Sequence, residues 1–159
     1  MREADRQAIS DVLIDYCRFL DAMDLEAIAR LFTRDCIVDY GEHALLRSNG
    51  ADALALSLQR MWRWARTSHH LSNIRIWFDG PHAAHSVSYV LAWHERPDGS
   101  TATILGQYQD GFTLTENGWL ISQRKMFCNG NDAGFSVPIH FFERRKPPQG
   151  WTPPQIDSR

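Results

Sequence analysis

An α+β domain, with N-terminal helices packed on a curved antiparallel sheet, is the fold class this sequence predicts. Two observations carry the prediction. Apolar residues recur at helical spacing through the first third of the chain, and from about residue 70 the period changes to two. At 159 residues the chain is long enough to build one sizeable core.

Residues 4–23 place Ile9, Val12, Leu13, Tyr16, Phe19, Leu20 and Met23 on one stripe, the pattern of an amphipathic helix. Asp24 stands where it would cap a second, shorter helix, LEAIARLF, with Leu25, Ile28, Leu31 and Phe32 on its buried side. The β-rich run DCIVDYG follows and ends in Gly41, and period two puts Tyr40 on the same side as Cys36 and Val38. A third helix is predicted over 50–66. Four β-like segments come next, separated by turn signals at Asp79-Gly80-Pro81, Pro97-Asp98-Gly99 and Glu116-Asn117-Gly118. Long sequential strands pair most simply as an antiparallel meander, covered on one face by the helices. From Phe135 the period is lost and prolines accumulate, yet Phe135, Ile139, Phe141, Phe142 and Trp151 remain. The chain therefore divides into a domain over 1–134 and a Pro-rich aromatic tail over 135–159. Such a tail is expected to dock on the domain or on a neighbouring subunit, with its last few residues loose.

The composition excludes several classes. A formal net charge of −2 leaves no electrostatic footprint for nucleic acid, and the cluster Arg144-Arg145-Lys146 is too short to change that. No apolar run approaches a bilayer span, and MREADRQAISDV lacks the apolar core of a signal peptide, so a cytoplasmic location is expected. Cys17, Cys36 and Cys128 have no C-x-x-C spacing and sit in apolar segments, which reads as buried thiols in a reducing compartment. No zinc-type or H-E-x-x-H spacing, nucleophile elbow, P-loop or dinucleotide fingerprint is present, so no metal and no cofactor are expected. Six Trp and eight Phe suit a pocket for a flat ligand.

What remains is acid–base chemistry by polar groups on apolar faces. Tyr16 lies on the buried stripe of the first helix. Asp21 borders it near the helix C-terminus, where an acid opposes the macrodipole and needs another partner. In RTSHHLSNIRIWF, parity separates the two histidines. His69 and Asn73 share a face with Trp77, and His70 shares the other with Ile74, Ile76 and Phe78. That argues against the pair acting on one metal, and His70 is expected to pack with Ile74 and Ile76. His94 ends a face of small residues, Ser86, Ser88, Val90 and Ala92, that suits a cavity wall or a solvated strand side. GQYQDGF sets Tyr108, Asp110 and Phe112 on one face. A histidine base needs a carboxylate to fix its tautomer, and Asp21 with His69 is a candidate pair that periodicity alone cannot bring together.

In order and spacing, AISDVLIDYCRFLDAMDLEAIARLFTRDCIVDYG, the helix start at Gly50, SHHLSNIRI, DGPHAAHSVSYVLAW, GQYQDGF and NGWLISQRK resemble the SnoaL-like branch of the NTF2-like superfamily, over roughly residues 5–127. The resemblance implies a cone, a curved sheet wrapped around helices with a deep pocket at its open end. Within the superfamily the chain is similar to the scytalone dehydratase, bile acid 7α-dehydratase and hexachlorocyclohexane dehydrochlorinase group, whose members use a His–Asp dyad for elimination. That group's aspartate falls on Asp21 and its base on His69, in H-x-x-x-N spacing to Asn73. Its two tyrosines fall on Tyr16 and Tyr40, and the dehydratase's second histidine on His94. A strand-borne acid of the bile acid enzyme falls near Ala92, a departure. The resemblance implies a cofactor-independent lyase on a small hydroxylated aromatic or polycyclic compound, breaking C–O or C–C bonds. Asp21 and His69 would be catalytic, and Tyr16, Tyr40, His94, Tyr108 and Asp110 would bind substrate, with the tyrosines and His94 donating hydrogen bonds. Alternatives are a ketosteroid-isomerase-like enzyme, for which Asp110 is the available sheet carboxylate, and a non-catalytic ligand-binding domain. A homo-oligomer is expected, a trimer before a dimer, with no nucleic-acid or membrane partner.

Overall fold

The computed structural model describes residues 2–152. The first helix, α1 (Arg2–Ala22), buries Ile9, Leu13, Tyr16, Cys17 and Leu20 as the stripe requires. Met23 ends it with a left-handed φ of 54°, and the Asp24 N–H returns to the Phe19 carbonyl at 2.9 Å. The Asp24 carboxylate then accepts from the Ala27 N–H at 2.9 Å, so one residue closes α1 and opens α2 (Leu25–Arg30). This tight turn fixes the end of α1, and with it Asp21, against the sheet.

Seven strands form one curved, unclosed sheet: β1 (Phe32–Asp39), β2 (Arg47–Asn49), β3 (Arg66–Asp79), β4 (Ala83–Glu95), β5 (Thr101–Thr115), β6 (Gly118–Asn131) and β7 (His140–Phe141). The order is β2-β1-β6-β5-β4-β3, with β7 also beside β6. The four long strands are the expected antiparallel meander, but the sheet is mixed, because β1 and β7 both run parallel to β6. β3 enters the sheet opposite in sense to β1, and the three reversals of the meander then bring β6 parallel to β1, which strand periodicity does not reveal.

Two local departures shape the site. The predicted helix 50–66 is α-helical only over α3 (Ala51–Leu58) and tightens to a 3₁₀ turn over Gln59–Arg63. Its period of three puts Leu58, Met61 and Trp64 in one buried column, with Arg60 and Arg63 in the next. In β3, Asn73 takes a left-handed φ of 51° and the pairing with β4 slips between Ser72 and Arg75. This bulge reverses the parity expected for the strand. Beyond it Ile76 and Phe78 join the inner face with His69, and Trp77 faces out. His70 does not pack with Ile76; it is exposed and bonds the Ser68 hydroxyl at 2.9 Å.

The tail returns to the domain over its first part. Phe135, Val137 and Ile139 pack against the core, and the chain passes so close to Gly41 that a Cβ there would overlap the Pro138 carbonyl. His140 bonds Asp39 at 3.1 Å, and β7 takes the edge of β6 beyond β1. Phe141 and Trp151 are exposed, and the expectation of a loose end falls on 153–159, outside the described residues. Cys17, Cys36 and Cys128 are buried free thiols. Among the described residues no helix is long and apolar enough to cross a membrane.

Candidate active site

The last turn of α1 carries Asp21 to the rim of β3, where three donors converge on its carboxylate. The Thr67 hydroxyl gives a hydrogen bond of 2.8 Å to Oδ1, and the His69 N–H one of 2.9 Å to Oδ2. The His69 ring places Nδ1 2.6 Å from Oδ1. A carboxylate only accepts, so Nδ1 carries the proton and Nε2 is left as the basic nitrogen, with no hydrogen bond to the described residues. Burial alone would raise Asp21, but the bonds from the His69 ring, the His69 N–H and Thr67 outweigh it and hold the carboxyl below its usual range.

His69 opens onto a small cavity of about 60 Å³. Tyr16, Tyr40, His94 and Tyr108 share the wall with it, and Trp64, Met126, Phe135 and Ile139 supply apolar surface. The Tyr16 and Tyr40 hydroxyls lie 2.6 Å apart, so one donates to the other and the pair keeps one O–H for a ligand. Burial raises both phenols, and Tyr16 is raised further by Tyr40, so the pair is neutral and donating. Tyr108 meets the Tyr16 ring edge-on at 5.9 Å.

His94 plays a different part from the donor expected. Its Nδ1–H donates to the Ala102 carbonyl at 3.2 Å, which leaves Nε2 as an acceptor. Its ring lies 4.8 Å from Trp64, 5.6 Å from Phe135 and 5.4 Å, edge-on, from His69. Burial foremost, then neighbouring His69, brings its pKa to about 4; Arg63 adds to this, against the Ala102 carbonyl and Asp21. Between its ordinary 6.5 and 4, the unfolded chain binds a proton that the folded chain refuses. Stability from this group is therefore complete above 6.5 and is lost as pH falls towards 4. Asp21 contributes a separate loss, below its ordinary 3.8. Urea midpoints across the upper window should fall with pH in the wild type and stay flat in His94→Asn. A variant with an undiminished slope would remove His94 as the cause.

Asp110 does not line this cavity. It lies beneath it, its oxygens 2.7 and 2.9 Å from Nε and Nη2 of Arg124, and both side chains are fully buried. Sequence reading missed Arg124, although parity with Met126 and Cys128 on β6 puts it on the inner face. Its guanidinium carbon lies 4.1 Å from the Tyr16 ring and 4.3 Å from the Tyr108 ring, and its charge lowers the pKa of both phenols against burial. Thr67, Trp64, Arg60 and Arg63 also went unread, since only the 3₁₀ turn and the end of β3 bring them to the rim. Among the described residues no three His, Cys, Asp or Glu side chains are grouped to hold a metal ion.

The SnoaL-like domain family model matches residues 1–125. The chain belongs to the SnoaL-like family. The match ends before the tail, whose Phe135, Val137 and Ile139 line the cavity. Among solved structures, a candidate scytalone dehydratase from Novosphingobium aromaticivorans is 27% identical, with 91% of this chain and 97% of that one covered at a TM-score of 0.85. A candidate aromatic ring hydroxylase from the same species is 26% identical over 77% of this chain and 87% of that one, at 0.72. The type-3 hexachlorocyclohexane dehydrochlorinase of Novosphingobium barchaimii is 22% identical over 90% and 97%, also at 0.72, which shows the shared fold. No curated protein matches the sequence. SnoaL-like membership with such relatives supports a lyase-type or small-molecule-binding role.

Proposed function

We propose that this SnoaL-like protein is a cofactor-independent lyase of the dehydratase type, acting in the cytoplasm on a small hydroxylated aromatic or polycyclic compound. The observation that carries the reading is the 2.6 Å contact of His69 with Asp21, beside a buried tyrosine pair in one cavity. His69 Nε2 takes a proton from the carbon next to a carbonyl. The electron pair released forms the new double bond, the C–O bond to the neighbouring hydroxyl breaks, and the departing hydroxide takes the proton from the His69 imidazolium and leaves as water, which restores the neutral base. The Tyr16–Tyr40 pair supplies the hydrogen bond that steadies the charge gathering on the carbonyl oxygen. C–C cleavage would start instead from a hydroxyl proton. An isomerase of the ketosteroid kind wants a free carboxylate on the sheet, and Asp110 is committed to Arg124.

The test is incubation of the purified protein with scytalone, the compound in one structural relative's name, then with a panel of β-hydroxy aromatic ketones. A product lighter by one water, with the absorbance of an extended conjugated system, is the expected outcome. A product of unchanged mass would make the protein an isomerase, and tight binding without turnover a ligand-binding domain. We also propose a homotrimer, because Trp77, Tyr89, Leu91 and Leu105 are exposed on the outer sheet face. Light scattering should read three chain masses; one or two would overturn it.

A further inference from the structure

We propose that the ligand of this cavity carries an anionic group, a carboxylate or a phosphate, and that Arg60 and Arg63 receive it at the mouth. The proposal rests on the cavity being a substrate site and is independent of the reaction carried out there. Both arginines line the cavity and also the apolar groove that continues from it past Leu46 and Val137. Among the described residues neither forms an ion pair, whereas Arg18, Arg30, Arg47 and Arg66 each sit against a carboxylate.

Arg60 is tethered, and Arg63, though exposed, lies beside an aromatic ring. Arg60 Nη1 donates to the Ser57 carbonyl at 2.6 Å and to its hydroxyl at 2.7 Å, and its guanidinium lies 5.3 Å from the Tyr40 ring. Arg63 and Arg96 lie 5.0 and 4.9 Å from the Trp64 ring, and Arg96 is tied to the Gly134 carbonyl at 2.6 Å. Arg63 is thus flanked by Arg60 on the cavity side and by Arg96 in an adjoining pocket, in a chain whose net charge is −2. Burial, Arg60 and Arg96 all lower the pKa of Arg63. Like charges held together without a counter-charge are a conflict that folding alone does not explain, and conflicts of this kind collect at functional sites. An oxyanion would relieve it, and a guanidinium fork matches carboxylate and phosphate oxygens two at a time. The placement suits a substrate. Trp64 touches His94, and His94 touches His69, so a molecule held at the rim by its charge lays its rings along this wall towards the base.

Calorimetric titration with naphthoate, naphthyl phosphate and naphthamide, all substituted at the same ring position, tests this without turnover. Wild type should bind at least one of the two anions roughly tenfold or more tighter than the amide, a difference of about 1.4 kcal/mol. The preference should shrink at high salt, vanish in Arg60→Gln/Arg63→Gln, and persist in His69→Ala. The tighter of the two anions tells a carboxylate from a phosphate. Equal affinity for the amide, a preference that survives the double Arg variant, or no binding of any probe at millimolar concentration overturns the proposal. If the preference holds while scytalone, its analogues and carboxylated or phosphorylated β-hydroxy aromatic ketones are all untouched, the lyase reading falls and the anion site stands.

Discussion

Turnover by His69→Ala and by Asp21→Asn should each drop by ~10²–10⁴-fold, the usual contribution of a positioned general base. The two variants fail for different reasons, which makes the pair informative. His69→Ala removes the basic nitrogen and leaves Asp21 still held by the Thr67 hydroxyl and the backbone N–H of residue 69. Asp21→Asn keeps an acceptor for the His69 N–H, and the Thr67 hydroxyl can turn to accept from the amide, so the end of α1 stays seated on β3. The asparagine can nonetheless offer an N–H to Nδ1, which drives the proton to Nε2 and presents the substrate with a donor where a base is required. Steady-state rates and unfolding midpoints on the same preparations separate chemistry from folding. If both variants stay folded and work within tenfold of wild type, the dyad is not the base.

Much of this site was legible by kind and little of it by contact. Helical period placed Tyr16 on the buried stripe of α1 and Asp21 at its border, and Asp24 was recognisable as a cap because its role is local. The meeting of Asp21 with His69 spans 48 residues of sequence and depends on where a turn seats a helix against a strand, which no local pattern encodes. Parity worked in β4 and β5, which pair without interruption, and misled in β3, where one left-handed asparagine exchanged the faces. The 3₁₀ turn escaped because spacings of three and four both fit the apolar residues of a short helix. Arg124 escaped because charge is ordinarily read as exposure, yet a buried guanidinium is stable when a carboxylate and aromatic faces surround it.

That burial makes the loss of Arg124 costly to stability. Arg124→Leu strands Asp110 in a site closed to solvent, and breaking a buried pair from one side is expected to destabilise the fold by about 3–5 kcal/mol. Burial already raises the Asp110 carboxyl, and Arg124 is what opposes that rise, so without the cation Asp110 survives only by taking a proton. Asp110→Leu with Arg124→Leu should restore most of the loss, because two apolar side chains of suitable size leave no uncompensated charge. Urea unfolding of the two single variants and the double variant measures this coupling. Single-variant losses below about 1 kcal/mol would mean that water reaches the pair after all, since only surface pairs are worth so little. The double variant should then be stable but slow. The cation over the Tyr16 ring is what lowers that phenol against its burial, and a leucine cannot. A folded double variant with full turnover would restrict the ion pair to a structural role. One with slowed turnover would tie it to the hydroxyl pair above it.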